Sequence, residues 1–473
     1  LTGTGKAVYS EGTNTGDGYI VSASVKNSSP ADVYLVTMTS ATAFQVKKNG
    51  VNEATGTTGT EYVSANTFVR FTINTGTDAF VAGDTFTLTI SAASFTGAVT
   101  YTALSGESYI ASEGSGIFTY DFATNTLVWR LAIGIDPTGV LGIAGANGYL
   151  IVYSTDSVSW SSTIDPLDFI PSLSTGAGGG QVEEAKGPIK RLVSLTSGFI
   201  VFTAANAIAA VFGQNIRFPF TFREIPNAGG ISDLTLVTDE SDSTSVYAFT
   251  THGLQQISSQ KATNVMPELS DLLTGKRFED FDSGTLQFSV QNLVAPLKKR
   301  VEFISGRFLV ISYGVTSFTH SIIYDTALQR FGKIKLGHVS VFQYGFLDAD
   351  DADTPKKQIA YLLADGQVRT IDFSAGVLSE DSVLLLGKFQ YIRSRVLQLE
   401  SVEVESVDIG AALTCYDYAT QDGKTFSGTP ISGFDTGMTG MTRQFNFHNT
   451  GMNHSLLFKG TFRLNSAVLT MSV

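Results

Sequence analysis

A run of acidic residues is the first group whose types and spacing could do chemistry. Four aspartates fall within six residues, at Asp348, Asp350, Asp351 and Asp353. Closely spaced carboxylates are typical of calcium-binding loops, because Ca²⁺ prefers oxygen ligands. Such a loop also requires an acceptor at Ala352, a following glycine and a terminal glutamate, and all three are missing. We therefore interpret the run as a solvated loop and predict no metal ligand in it.

Two glycine-rich segments could in principle wrap a phosphate group. They are 176–180, with the sequence GAGGG, and 3–6, with the sequence GTGK. A phosphate-binding loop requires a lysine followed by serine or threonine at the start of a helix. Glu183 and Glu184 follow the first segment and have the wrong charge, and the second fails the same test. We predict a flexible loop at 176–180 and no bound cofactor at either segment.

A third pattern resembles the Asp-box, S-x-D-x-G-x-T-W, of propellers that cleave sugars. Ser154, Asp156 and Trp160 imitate it, but Trp160 comes one residue early and Val158 takes the place of the glycine. Such boxes are fold elements on a blade turn even in glycosidases. The pattern therefore predicts a blade turn rather than a catalytic site.

Histidine and cysteine are too scattered to define a site. His448 and His454 flank a short turn and could share a ligand, but no third partner lies nearby in the sequence; the other histidines are His252, His320 and His338. A Ser-His-Asp triad stays open, although the chain has no G-x-S-x-G elbow. Cys415 is the single cysteine and lies in an alternating LTCYDY run, which predicts a buried structural thiol. The residues thus show no convincing catalytic, cofactor-binding or metal-binding site.

The composition indicates many short strands. Only 16% of the 473 residues are charged, 47 are glycine, and the formal net charge is −12 with a pI near 4.9. This balance argues against a conventional nucleic-acid binder, because the only basic cluster is Lys298-Lys299-Arg300. No apolar run approaches the roughly 18 to 20 residues of a transmembrane helix, and the first residues lack the apolar core of a secretion signal. We expect no membrane-spanning segment.

Two successive hairpins between Gly148 and Gly213 define the repeating unit. In the first, an apolar run at 149–153 precedes a polar turn at 154–156 and a return strand through Trp160. In the second, residues 199–202 and 207–212 flank an Ala205-Asn206 turn. β-Branched and aromatic residues separated by turn formers predict antiparallel hairpins.

Similar turns recur along the chain at Asn125, Asp156, Asn206, Gly253, Asp325 and Asp365, which are 31, 50, 47, 72 and 40 residues apart. Propeller blades repeat at roughly 40 to 50 residues, so the spacing predicts a β-propeller of about six blades between Tyr109 and Ala375. The longest step contains Leu269, Leu272 and Leu273 at helical spacing, which predicts a short helix within 267–281.

The complete prediction is an all-β protein of three domains. Residues 1–108 form a Thr- and Ser-rich β-sandwich that is a decoration or insertion domain, residues 109–378 a β-propeller-like domain, and residues 379–473 a C-terminal β-sandwich. Alternating strands in the first and last blocks favour the two sandwiches.

The chain resembles a viral family along 109–473. The final run NTGMNHSLLFKGTFRLNSAVLTMSV is similar to the closing strands of the tail hub or nozzle proteins of short-tailed bacteriophages, also called packaged-DNA stabilisation proteins and distantly related to tail tubular protein B. SGFIVFTAANAIAAVFGQN resembles a blade of that family, VSWSSTIDPLDF its blade closure, and PELSDLLTGKRFEDF its helical segment after a blade. The block before Tyr109 departs from the simplest members.

The resemblance implies a structural protein of the virion tail, with no catalytic residues and no cofactor. It implies a hexameric ring that extends the DNA channel, retains the packaged genome and allows its ejection. The implied partners are copies of the same chain, a tail adaptor, tail fibre, spike or needle proteins, and double-stranded DNA in non-specific transit. The alternative from the residues is a glycan-binding or glycan-cleaving β-propeller that acts as a receptor-binding protein.

Overall fold

The structure is a computed structural model of the chain. It describes residues 5–26, 31–93, 95, 99–213, 215, 218–238, 244–265, 298–304, 306–348, 351–371, 382–389, 397–409, 413–420, 431–439, 442–451, 453–460 and 462–472. Within these residues the fold is all-β, with 38 strands in nine sheets and one turn of 3-10 helix at Leu234–Leu236. The predicted fold class is confirmed at this level. The short helix predicted within 267–281 lies outside the described residues.

The first twelve strands form two sheets. They are β1 (Gly5–Glu11), β2 (Tyr19–Lys26), β3 (Val33–Met38), β4 (Ala43–Lys48), β5 (Val51–Thr57), β6 (Tyr62–Val63), β7 (Val69–Asn74), β8 (Thr85–Ala92), β9 (Val99–Leu104), β10 (Glu107–Ser112), β11 (Gly116–Asp121) and β12 (Thr126–Arg130). Sheet A has the order β1-β8-β3-β4-β5, and sheet B has the order β6-β7-β2-β12-β11-β10-β9. Alternate residues of both sheets are buried in one shared core around Phe44, Phe71, Phe86 and Trp129.

Sheet B joins strands that are distant in the sequence. β12 pairs with β2 in antiparallel register, with Val128 opposite Lys26 and Arg130 opposite Ser24. The hairpin of β11 and β12, predicted to open the propeller, therefore lies in the same sheet as β2. The predicted boundary between residues 108 and 109 falls inside sheet B.

Three sheets follow as simple meanders in which each strand pairs with the next. Their strands are β13 (Gly142–Ala146), β14 (Tyr149–Tyr153), β15 (Ser157–Trp160), β16 (Gly178–Gln181), β17 (Ile189–Leu195), β18 (Gly198–Thr203), β19 (Ala207–Phe212), β20 (Phe220–Glu224), β21 (Ser245–Thr250), β22 (Gly253–Ser258) and β23 (Ala262–Asn264). Sheet C contains β13 to β16, sheet D β17 to β20, and sheet E β21 to β23. Both hairpins predicted between Gly148 and Gly213 are confirmed by the pairing of β14 with β15 and of β18 with β19.

Two more meanders follow in the sequence. Their strands are β24 (Lys298–Ile304), β25 (Phe308–Gly314), β26 (Phe318–Asp325), β27 (Arg330–His338), β28 (Ser340–Asp348), β29 (Asp351–Leu362) and β30 (Val368–Thr370). Sheet F contains β24 to β27, and sheet G contains β28 to β30. The turns predicted to be equivalent lie at different positions within their meanders. Asp156 lies between the second and third strands of sheet C, whereas Asp325 leads from β26 to β27, the third and fourth strands of sheet F.

The last eight strands form two sheets with crossed connections. They are β31 (Ser382–Phe389), β32 (Leu397–Ile409), β33 (Thr414–Thr420), β34 (Ile431–Ser432), β35 (Phe434–Thr439), β36 (Thr442–Gly451), β37 (Asn453–Gly460) and β38 (Phe462–Ser472). Sheet H has the order β31-β37-β33-β34, and sheet I has the order β35-β36-β32-β38. Buried side chains of both sheets, including Val402, Cys415, Phe445 and Phe458, form one core.

The chain divides into two compact units. The first comprises Leu1–Val265 and Arg300–Leu309, and the second comprises Met266–Lys299 and Val310–Val473. Every side-chain arrangement described below lies within one unit.

Candidate functional site

The acidic run lies at the end of a strand pair. Asp348 is the last residue of β28 and is paired in register with Asp351, the first residue of β29, and Asp353 follows on the same strand. Asp350 is outside the described residues. Asp348, Asp351 and Asp353 therefore lie on paired strands rather than in the predicted loop, and the register of the pair shifts between Phe346 and Asp348. Among the residues that the structure describes, no three His, Cys, Asp or Glu side chains are grouped as metal ligands would be.

The glycine-rich segment is a strand beneath an indole ring. Gly178–Gln181 forms β16, and Gly178 is paired with Trp160. The Nε1–H of Trp160 donates a hydrogen bond of 2.9 Å to the carbonyl oxygen of Gly176. A Cβ on Gly178 would lie 3.4 Å from the Trp160 ring, so glycine lets the ring lie against the strand. The prediction of a flexible loop is therefore wrong for 178–180.

The other glycine-rich segment begins the first strand. Gly5 and Lys6 are the first residues of β1, and the two residues before them are not described. The Lys6 ammonium donates a hydrogen bond of 2.9 Å to the carbonyl oxygen of Gly114. The lysine that a phosphate loop would use thus bonds to a turn of the protein.

The Asp-box-like residues occupy a turn between two strands, as predicted. Ser154 and Ser157 close the turn from β14 to β15, and their Oγ atoms are 2.6 Å apart. The carbonyl oxygen of Asp156 accepts from the backbone N–H of Val182 at 3.1 Å, and that of Thr155 accepts from the N–H of Ile189 at 2.7 Å. This turn is therefore bonded to the segment that leads from sheet C into sheet D.

Two later turns share a hydroxyl residue at the first position, and we call the three the hydroxyl turns: 154–157, 203–206 and 250–253. Each begins with serine or threonine. In the second, the Thr203 hydroxyl accepts from the N–H of Asn206 at 3.0 Å, and the Thr203 carbonyl accepts from the N–H of Ile231, in the segment after sheet D, at 2.9 Å. In the third, the Thr250 hydroxyl accepts from the N–H of His252 at 3.1 Å. A hydroxyl residue at the start of each turn was a sequence signal for this repeat, and it was missed.

The two C-terminal histidines do not share a ligand site. His448 is exposed on β36 of sheet I, whereas His454 lies on β37 of sheet H and is completely buried. The His454 Nδ1 is 2.8 Å from an Oδ2 of Asp417, which is also completely buried. This contact joins β37 to β33 inside the core of the C-terminal sheets.

Cys415 faces the same core two residues before Asp417. Its side chain is fully buried, and burial raises the pKa of the thiol well above its usual value. A thiol that cannot reach solvent or ionise near neutral pH is a poor nucleophile. The predicted buried position of this cysteine is confirmed.

A buried serine and histidine meet in sheet F in a way that the sequence did not predict. The Nε2 of His338, on β27, is 2.8 Å from the Oγ of Ser312, on β25. The Nδ1 of His338 is 2.7 Å from the carbonyl oxygen of Leu336. A carbonyl only accepts, so Nδ1 carries the proton and Nε2 accepts from the serine hydroxyl. This is the hydrogen-bond pattern of a serine activated by a base.

The same histidine is enclosed by aromatic rings. Its ring stacks on Phe318 at 5.4 Å and meets the Tyr361 ring edge-on at 4.9 Å. The Tyr361 hydroxyl is 2.7 Å from the Oγ of Ser321, and burial raises the pKa of Tyr361 to about 12. Ser312 is 2% exposed and His338 3% exposed, so a substrate could not reach the serine in this conformation. The arrangement satisfies buried polar groups in the way that a protein interior requires.

The basic cluster is engaged within the protein. The Lys298 ammonium lies 5.1 Å from the centre of the Phe318 ring, and Arg300 forms an ion pair with Glu302. Burial lowers the pKa of Lys299. The three residues lie at the start of β24 and do not form the exposed basic patch that a phosphate backbone would require.

Comparison with known proteins gives little guidance. No protein-family model matches the sequence, and no curated protein matches it. Among solved structures, FlgL of Xanthomonas campestris is 25% identical over 18% of this chain and 29% of FlgL, with a TM-score of 0.16. The dihydro-heme d1 dehydrogenase NirN is 10% identical over 90% of this chain and 75% of its own, with a TM-score of 0.33. AztD of Citrobacter koseri is 11% identical over 67% of this chain and 96% of its own, with a TM-score of 0.30. At TM-scores this low the likenesses support no inference about what this chain does.

Across its described ranges, the structure contains no helix with the length and apolar character needed to cross a bilayer.

Proposed function

We propose that this chain is a structural subunit of a short bacteriophage tail, at the hub or nozzle position. Copies of the chain assemble into a ring, with six the expected number, that extends the DNA channel below the tail adaptor. The ring retains the packaged genome, allows its ejection, and contacts tail fibre, spike or needle proteins. The chain acts in the virion tail and is not an enzyme.

The series of antiparallel meanders supports this proposal. β9 to β12 form the first meander, within sheet B, and sheets C, D, E, F and G follow in chain order. A propeller blade is a four-stranded meander, and sheets C, D and F have that form, whereas three strands are described in sheets E and G. We propose that these are the six blades of a propeller, that the strands β1 to β8 of sheets A and B form a sandwich before it, and that sheets H and I form a sandwich after it. The meanders correspond to the blades that the resemblance to tail hub and nozzle proteins implies, whereas the block before Tyr109 departs from the simplest members.

The charge of the chain is compatible with a DNA conduit. The net charge is −12, and a ring multiplies it by the number of subunits. An acidic wall repels duplex phosphate, so DNA would pass through the channel without binding tightly.

The proposal is tested by the assembly state and by the position in the virion. Purified protein is examined by negative-stain electron microscopy and by sedimentation over a range of concentrations, and virions carrying a tagged copy are labelled in parallel. We expect class averages with six-fold symmetry, an opening wide enough for duplex DNA, and label on the tail axis. A monomer at every concentration together with label absent from the tail axis would refute the proposal.

The conduit role has its own test. A side-chain-resolution reconstruction of the ring identifies the carboxylates that line the opening. They are changed to the neutral amides, and the rate of DNA ejection is measured. A neutral wall repels the DNA phosphates less than an acidic wall does, so we expect slower ejection. Amide variants of carboxylates on the outer rim serve as the matched control, and an unchanged rate for the lining variants would contradict the role of wall charge.

A glycan-binding or glycan-cleaving propeller is the second candidate. It is favoured by the Asp-box-like residues, since Ser154 and Asp156 lie on a turn between two strands of a meander and Trp160 ends the second strand. A glycan array and an assay of reducing-sugar release separate the two functions. Binding or release by a monomeric protein would favour this candidate over the tail subunit.

A further inference from the structure

A shallow groove lies on the outer face of sheet B, away from the core of the first unit. It has a volume of about 310 Å³ and is lined by Ser24, Lys26, Thr67, Phe68, Arg70 and Val128. Strand alternation explains its position, because Ala23 and Val25 point into the core and their neighbours Ser24 and Lys26 point outward. The groove thus presents side chains that the core does not use.

Two cationic side chains line the groove in this acidic protein. It contains Lys26 and Arg70 and no carboxylate, although the whole chain carries a net charge of −12. Asp121 holds the Lys26 ammonium at 3.2 Å, and Glu61 holds the Arg70 guanidinium at 3.3 Å. Lysine has three N–H donors and arginine five, so each cation retains donors for a ligand.

Asp121 bonds to its own turn as well as to Lys26. Its Oδ1 accepts from the backbone N–H of Ala123 at 3.0 Å and from that of Thr124 at 3.2 Å. Its Oδ2 accepts from the Thr124 hydroxyl at 2.6 Å as well as from Lys26. The carboxylate therefore fixes the position of Lys26 without occupying the groove.

The remaining lining residues combine an apolar floor with hydroxyl groups. Phe68 and Val128 are half-buried and offer a surface on which a ring can pack. Ser24 and Thr67 supply hydroxyls that can both donate and accept. The volume is at the lower limit for small-molecule sites, which is roughly 300 to 1,000 Å³, so the ligand portion held here is about one ring in size.

We infer that this groove binds a carboxylate-bearing sugar, such as the uronic acid unit of an acidic polysaccharide. Arg70 and Lys26 bind the carboxylate, since a guanidinium matches that group in a bidentate geometry. The serine and threonine hydroxyls bond to the hydroxyls of the sugar, and its C–H face packs on Phe68 and Val128. The site goes beyond the tail role and does not depend on it, since all six lining residues belong to one chain.

The experiment measures binding of two sugars that differ in one group. Methyl glucuronide and methyl glucoside are titrated against the full chain by calorimetry and by saturation-transfer NMR. The variants are Arg70→Gln and Lys26→Gln, and the matched control is Lys186→Gln, which removes a lysine from an exposed ion pair with Glu224 elsewhere on the first unit. Triglutamate serves as a carboxylate ligand without a sugar ring.

We expect the wild type and the control to bind the glucuronide. Both should bind the glucoside at least about tenfold more weakly, because the glucoside lacks the carboxylate and loses a charge-assisted hydrogen bond. Each groove variant should lose about tenfold or more in affinity for the glucuronide, and added salt should weaken binding to the wild type. The Arg70 side chain is 47% exposed, so its variant is expected to fold, and the salt titration needs no variant.

Four results would overturn the assignment. They are equal affinity for the two sugars, triglutamate binding as tight as that of the glucuronide, glucuronide affinity unchanged in both groove variants, and no binding of the glucuronide by folded wild type. None of these results bears on ring assembly, so failure of the groove and failure of the tail proposal are distinguishable.

Discussion

An aromatic cluster between sheets C and D makes a sharp prediction about stability. The ring of Phe220 lies 5.0 Å from that of Phe199, 5.5 Å from Tyr149, 5.6 Å from Trp160 and 5.8 Å from Phe212, measured between centroids. Its side chain is 6% exposed. Phe220→Ala removes all four ring contacts and leaves a cavity, because the four neighbours belong to strands whose backbones are fixed by pairing. Such truncations of a buried phenylalanine cost about 3 to 5 kcal/mol of unfolding free energy.

The chain offers a matched control two residues earlier. Phe218 has the same side chain in the loop before the strand and is 71% exposed. Phe218→Ala should change the unfolding free energy by no more than about 0.5 kcal/mol, as is usual for exposed positions. The difference between the two variants therefore measures burial and ring contacts at constant chemistry.

The assay uses the tryptophan within the cluster. The chain has two tryptophans, and replacing Trp129 by phenylalanine in every protein leaves Trp160 as the reporter of sheets C and D. Urea unfolding is followed by fluorescence, and midpoints are converted to free energies with the measured slope. A loss in Phe220→Ala within about 1 kcal/mol of that in Phe218→Ala would refute the reasoning, because the cluster would then contribute little beyond exposed apolar surface.

Three further predictions concern a titration, a thiol and a glycine. Burial lowers the pKa of His338 below its usual 6.5, so the unfolded chain takes up a proton first as the pH falls. Thermal melts should show stability that is complete above about pH 6.5 and declines below it, with a smaller decline in His338→Gln; equal declines would contradict this role. Cys415 should not react with a thiol reagent in the native protein and should react fully in denaturant, whereas rapid native labelling would show that the C-terminal core opens. Gly198 has a φ of +140°, and a Cβ there would lie 2.0 Å from the carbonyl oxygen of Ala210. The control is Gly148→Ala, at a positive-φ site with open space, where a loss of about 1 to 2 kcal/mol in unfolding free energy is expected. Urea unfolding should show a larger loss for Gly198→Ala, and equal losses would argue against the close approach.

Local patterns in the sequence predicted local structure well. The two hairpins around Asp156 and Asn206 have the predicted strands, because alternating apolar residues and turn formers act over a few neighbouring positions. The Asp365-Gly366 hairpin is also present, with Gly366 at a φ of +83°. The buried position of Cys415 followed from the same alternation.

Pairings between distant segments could not be predicted in this way. The partner of β12 is β2, and nothing in either segment specifies the other, since antiparallel pairing depends on backbone groups that all residues share. The contact between Ser312 and His338 depends likewise on the register of β25, β26 and β27. The GAGGG segment looked flexible because glycine permits many conformations, and its strand is selected by the Trp160 ring that packs on it.

The pairing of β2 with β12 also has a consequence for synthesis of the chain on the ribosome. β2 ends at Lys26 and β12 begins at Thr126, so sheet B can be completed only after about a hundred further residues have been translated. Until then the nascent chain carries a strand edge that other chains could pair with, which favours protection by a chaperone. Sheets C, D and E pair only neighbouring strands, so each can fold soon after it leaves the exit tunnel. Protease digestion of ribosome-arrested chains should accordingly find the N-terminal sheets resistant only in chains that expose residues beyond Arg130.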